Sequence, residues 1–222
     1  TSKVAADMNF ARELSMQRGG APQLMPAFLF INSQGINSDD VVTSQIDNLL
    51  LPFAGTFSGT PRAGLTETVL LKTTTQSQLV EGMTASFSGE TIAKEFKPSG
   101  TAYPLAIRLK GKFKTAFPEG APAEPPEKKD DKTEAEKKPE PKPGETLKET
   151  KSDNVVVLVG DTDLLYDQFS VQVQDIMGQR IVIPRNGNLN FVQNLVEQMA
   201  GDNNLIGVRS RAAISRPFTV VA

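Results

Sequence analysis

Cysteine, histidine and tryptophan are absent from all 222 residues, and tyrosine occurs only twice. No cysteine means no thiol nucleophile and no disulfide framework; no histidine means no Ser-His-Asp relay. Together the two absences remove the Cys/His zinc cage. A chain free of cysteine suits the periplasm and the cytosol equally, so the redox compartment stays open. Long apolar runs are missing as well. Nothing approaches the roughly 20 residues that cross a bilayer, and no charged-then-apolar signal opens the chain. It begins Thr1-Ser2 rather than with methionine. That is expected of a processed product or of a segment excised from a longer protein, whose membrane helices would then lie outside the sequence. The net charge of −2 lacks the basic excess that a nucleic-acid binder presents to phosphates.

What is present is ordinary globular material, 38% hydrophobic and 23% charged, enough for one domain or two small ones. The most organised stretch runs from Asn154 to Arg211. Asn154-Val-Val-Val-Leu-Val-Gly160 is an uninterrupted β-branched run, which fits a strand covered on both faces at the centre of a parallel sheet. The turn Gly160-Asp161-Thr162-Asp163 ends it. Gly187-Asn188 reads as a capping pair for a helix whose stripe is Leu189, Val192, Leu195, Val196 and Met199, with Gly201 at its C-terminus. A second strand is expected at Leu205-Ile-Gly-Val208. Strand, acidic turn, helix and strand in that order define an α/β fold with a crossover between parallel neighbours.

Earlier in the chain, Val4 to Met16 reads as a helix and Ala27-Phe-Leu-Phe-Ile31 as a buried strand. Asn37-Ser38-Asp39-Asp40 places a cap and two carboxylates at the start of a helix with the inner stripe Val42, Ile46, Leu49 and Leu50. A metal site at Asp39-Asp40 is the sharper alternative, and the capped first turn is preferred to it. Thr66 to Lys72 reads as a strand. The hydroxyls of Thr73, Thr74, Thr75 and Ser77 cap a turn at Gln78-Leu79-Val80 in preference to binding a ligand. Tyr103 to Lys114 alternates as an edge strand does, with Lys110, Lys112 and Lys114 on one wet face that deters aggregation or attracts an anion.

Between Pro118 and Lys151 the composition changes abruptly: seven of the fifteen prolines, eight lysines, ten acidic residues and no aromatic side chain. Such a segment has too little apolar surface to offset the entropy of ordering. The expectation is one α/β domain in two parts, 1–117 and 152–222, interrupted by a disordered Pro/Lys/Glu-rich insertion at 118–151. Removing the insertion's charges leaves sixteen bases and sixteen acids, so the acidic balance belongs to it.

After Lys151 no lysine occurs, and the bases are Arg180, Arg185, Arg209, Arg211 and Arg216, in the same half as Asp161, Asp163, Asp167 and Asp175. Arginine pairs two-pronged with carboxylate or phosphate and tolerates partial burial. An internal Arg-Asp network is the plainer expectation. An anion or partner site formed by Asp161, Asp163, Arg209 and Arg211 is the sharper one, because Asp161 sits where a strand meets its loop.

The phrases Gly111-Lys-Phe-Lys-Thr-Ala-Phe117, Gly160-Asp-Thr-Asp-Leu-Leu-Tyr-Asp-Gln-Phe169, Asn188 through Arg211 and Arg216-Pro217-Phe218-Thr219, with Val4-Ala-Ala-Asp-Met-Asn-Phe-Ala11, resemble the GldG-type auxiliary subunits of bacterial ABC transporters. The resemblance spans most of the chain outside the insertion. It implies a domain at the periplasmic face of the inner membrane, anchored by helices absent here. Its partners would be permease and ATPase subunits, linked in some bacteria to gliding motility. The fold implied is a layered α/β sheet with helices on both faces, glutamine-amidotransferase-like but without that chemistry. Such a domain begins with further strand and helix units, so this chain would be its later part.

Two functions compete. The first is a non-enzymatic binding or scaffolding domain with no cofactor, no metal and no catalytic residue. The second is a Mg-dependent phosphotransferase-like enzyme using Asp161 and Asp163, to which Asp161-Thr-Asp163 after a β-run is faintly similar. Gly160 puts that spacing out by one, and no later lysine is available.

Overall fold

The computed structural model describes residues 3–18, 24–118, 148–176 and 178–201. These residues form a mixed α/β structure with several small antiparallel sheets and, among the described residues, five helices. The N-terminal stretch divides where a single helix was expected: Lys3–Asp7 is a strand, β1, and the helix α1 occupies Met8–Arg18. Asp7 causes the break. Its Oδ1 accepts the N–H groups of Asn9 (2.9 Å) and Phe10 (3.2 Å), satisfying donors that a helix start leaves free.

The buried run at Phe28–Ile31 is strand β2, as its composition predicts, and it pairs antiparallel with β3, Leu49–Pro52. The expected helix across Asn37–Leu50 is instead a series of turns leading into β3. Val42, Ile46 and Leu49 are buried in the main core, so the apolar spacing marked burial correctly but not conformation. Asn37 accepts the Asp39 amide in an Asx turn, and Asp40 accepts that of Val42. Local side-chain bonds of this kind compete with helix.

Strand β4, Leu65–Lys72, appears where predicted. The expected turn at Gln78–Val80 lies within strand β5, Ser77–Glu81, which pairs with β1. Two short helices follow, α2 at Gly82–Phe87 and α3 at Gly89–Lys94. Then comes β6, Pro104–Gly111. It was expected at an edge, yet it is the middle strand of a three-stranded sheet, between β4 and β7, Asn154–Val159. Leu105, Ala106 and Ile107 are buried, so two apolar faces outweigh the flanking lysines.

The β-branched run at β7 is likewise displaced from its expected place. It forms an edge, antiparallel to β6, and its residues alternate between half-buried and exposed instead of being covered on both faces. Val157 and Val159 lean on the core while Val156 and Leu158 face outward. Period-two alternation turns every second residue to the opposite face, whatever its chemistry. Gly160 extends the ladder by donating to the Leu105 carbonyl (2.9 Å) and accepting from Gly55 (2.7 Å). A Cβ there would lie 2.3 Å from the Gly55 oxygen, so the close backbone approach requires glycine.

A one-turn helix α4, Asp167–Ser170, leads into a hairpin of β8, Val171–Ile176, and β9, Gln179–Pro184. Helix α5, Asn188–Met199, lies where its periodicity places it, and Gly201 takes a positive φ of 85° beyond its end. Its buried face is Asn188, Phe191, Asn194 and Leu195, whereas Leu189, Val196 and Met199 from the expected stripe are exposed. The strand expected at 205–208 lies outside the described residues. Phe191 and Leu195 join Phe10, Leu29, Ile31, Leu51, Leu70 and Leu105 in one core.

Candidate functional site

The first loop of interest follows β7. Asp161 is buried, and its Oδ1 accepts the Asp163 N–H at 2.6 Å, an Asx turn that reverses the chain. Its Oδ2 is buried without a partner. Burial pushes this carboxyl up to about 7; the Asp163 amide opposes the rise, the Asp163 charge adds to it, and the Leu164 amide opposes it. Asp163 itself is exposed. One carboxyl is thus half-protonated near neutrality and the other lies in solvent. Among the described residues no group of three or more acidic side chains converges on a cation position. Arg209 and Arg211, expected opposite these carboxylates, lie outside the described residues.

A helix packs behind this turn through one amide. Asn188, expected as part of a capping pair, is the first residue of α5 and fully buried. Its Nδ2 donates to the carbonyls of Leu50 (2.8 Å) and Leu164 (2.7 Å), and its Oδ1 accepts the Leu50 N–H (3.0 Å). A single side chain therefore joins β3, the Asp161 turn and α5. Buried amides hold native structure when each polar atom is paired, as here.

At the other end of α5 stands an ion pair that sequence reasoning missed. Arg108, in the middle of β6, sends Nη1 to Asp40 Oδ1 (3.1 Å) and to Gln198 Oε1 (2.9 Å), while Nη2 meets Asp40 Oδ2. The two-pronged geometry is the one expected of arginine, but in the first half of the chain rather than the second. Of the later acids and bases, Asp175 and Arg180 are cross-strand neighbours in the β8–β9 hairpin. A signal was present in the sequence: Arg108 interrupts Leu105-Ala-Ile-Arg-Leu109, where an exposed strand would as readily carry lysine.

Asp7 closes a third polar cluster. Besides capping α1 it accepts the Thr74 amide at 2.6 Å through Oδ2, and burial raises its pKa against those bonds. Thr73 donates to Ser77 Oγ (3.0 Å) and accepts the Tyr103 amide (2.8 Å). The threonine-rich loop is thus held by internal bonds, but these do not cap a turn at Gln78–Val80, which belongs to β5.

The geometry defines a mixed α/β domain in which buried polar side chains tie loops and helices to small sheets. The model of the ABC transporter auxiliary family, described as ABC-type uncharacterized transport system, matches residues 1–195, and the chain belongs to this family. No curated protein and no solved structure matches it.

Proposed function

We propose that this chain is a non-enzymatic auxiliary domain that binds or scaffolds other subunits of an ABC-type transport complex. The family match over residues 1–195 is the observation that carries this reading. The internal use of Asn188, Arg108, Asp40 and Thr73 supports it, since those groups are engaged in holding the fold. Val173 and Val182, cross-strand partners on the β8–β9 hairpin, are both exposed, and apolar exposure of this kind supports a surface role.

The finer reading places the domain at the periplasmic face of the inner membrane, anchored by helices outside this sequence. It is of the GldG type linked to gliding motility, with a permease and an ATPase as partners and nucleic acid not among them. Residues 1–117 and 152–222 form one domain interrupted at 118–151, a reading supported by the antiparallel pairing of β6 with β7, which draws on both parts.

The test is to tag the protein at its native locus, solubilise membranes in mild detergent and identify what co-purifies. Permease and ATPase subunits of one transport system are expected in fixed ratio, and protease added to spheroplasts should digest the domain. Recovery without transporter subunits overturns the reading, and protection from the protease overturns the periplasmic placement.

A further inference from the structure

The two edges of the β4–β6–β7 sheet are treated differently. Along the Val69–Lys72 part of β4 outer backbone groups are occupied: Asn37 N–H donates to the Leu70 carbonyl, Asn37 Nδ2 to that of Val69, and Lys72 N–H to that of Gly35. That edge also carries register irregularities between Val69 and Lys72, and the charges of Glu67 and Lys72. Bulges, charges and covering loops are the devices by which sheets avoid adding strands.

Along β7 none of this occurs among the described residues. The register pairs Gly160 with Leu105 through the Gly160 N–H, so the alternating antiparallel pattern turns Val155, Val157 and Val159 outward with both N–H and C=O. Among the described residues no strand lies beyond them. No charge, proline or bulge interrupts Val155–Val159. The adjoining face is apolar and open: Leu158 lines a cavity of about 500 Å³ with Ile107 and Leu109, and Val156 is exposed beside it. Past the strand's far end stands the exposed carboxyl of Asp163, while that of Asp161 is buried.

We infer that the β7 edge accepts an extended segment of a partner polypeptide as a fourth strand, aliphatic along its length and carrying lysine or arginine where it meets Asp163. An extended backbone presents donor–acceptor pairs at the same spacing as these three, and strand addition supplies that ladder while alternate side chains cover Val156 and Leu158. The acidic end selects for a basic residue. A second copy of β7 fits less well, since pairing antiparallel it would bring Asp153 to that end. This inference rests on the reading of the chain as a partner-binding domain. The edge is tested with peptides and the reading by co-purification, so either can fail alone.

The test uses the full chain and a blocked peptide, Val-Thr-Val-Ile-Val-Lys-Arg, followed by hydrogen exchange. The peptide should slow exchange at the Val155, Val157 and Val159 amides at least tenfold. The same peptide N-methylated at alternate residues should not, and one ending Glu-Glu should bind more weakly. Val157→Pro removes an outward N–H at a position where an edge strand tolerates proline; it should abolish protection at Val155 and Val159 while the chain stays folded at a somewhat lower melting temperature, because Val157 leans on the core. Asp163→Lys should reverse the preference between the Lys-Arg and Glu-Glu peptides. Binding without protection of these amides, or equal protection by the N-methylated peptide, overturns the inference. So does protection already present in the free chain: independent of concentration it means the chain covers its own edge, and lost on dilution it means a second copy does.

Discussion

Arg108 of β6 grips Asp40 with both guanidinium prongs across 68 positions of sequence, and Gln198 of α5 shares the Nη1 atom. One strand, one turn and one helix are thereby joined at a site where the arginine side chain is 17% exposed and the aspartate 6%.

Removing one partner strands the other's charge. Arg108→Ala or Asp40→Ala is expected to cost about 3 kcal/mol in urea unfolding. Replacing both with apolar residues of similar volume, Arg108→Met with Asp40→Leu, should cost much less than the two single changes summed. A double-mutant cycle checks this, and additive losses would show that the pair is not coupled.

Asn188→Ala leaves the Leu50 amide and the carbonyls of Leu50 and Leu164 without their buried partner. A loss of about 3 kcal/mol is expected, since each buried unsatisfied group costs about 1 to 3 kcal/mol. Calorimetry reads it as a lower melting temperature, and hydrogen exchange should quicken first at Leu50.

The raised carboxyl of Asp161 predicts a pH dependence of definite sign. Between about pH 4 and 7 the folded chain keeps a proton that the unfolded chain has released, so this group's contribution is full below that window and falls as pH rises through it. Asp161→Asn should therefore gain stability relative to the parent on going from pH 4 to pH 8, by an amount on the order of 3 kcal/mol. Asp7 shifts in the same direction, so the difference between parent and variant is the measure to take. Asp163→Asn removes the neighbouring charge and should lower the midpoint.

The elements legible in the sequence were those whose signal was local. Phe28–Ile31 and Leu65–Lys72 declared themselves by β-rich composition, and Asn188–Met199 by a helical period with glycine at both ends. Val4-Ala-Ala carries no such signal: its residues fit a helix or a strand, and the choice falls to Asp7, whose carboxylate needs the Thr74 loop to show its role. Val42, Ile46 and Leu49 follow helical spacing yet belong to turns and the strand they lead into, because core contacts along one irregular segment can share that spacing by coincidence. The run at Val155–Val159 told of a strand but not of its neighbours, since pairing is decided by β6, some 45 residues away. Of the candidate site, the Asp161 turn was visible as a turn. Its buried, unpartnered oxygen depends on the tertiary packing around the turn, and no short motif encodes that.

The bridge between Lys114 and Glu149, with Thr115 N–H on the Lys148 carbonyl and Thr150 N–H on that of Phe113, knits the two sides of the central sheet past the ends of β6 and β7. Antiparallel neighbours can be joined by as few as two residues. The register of this sheet is therefore fixed by its own ladder and owes nothing to how much chain is threaded between its halves. Lineages can lengthen, shorten or rewrite that stretch while the fold stands still, which makes it a natural place for novelty to accumulate and for an experimenter to splice in a reporter.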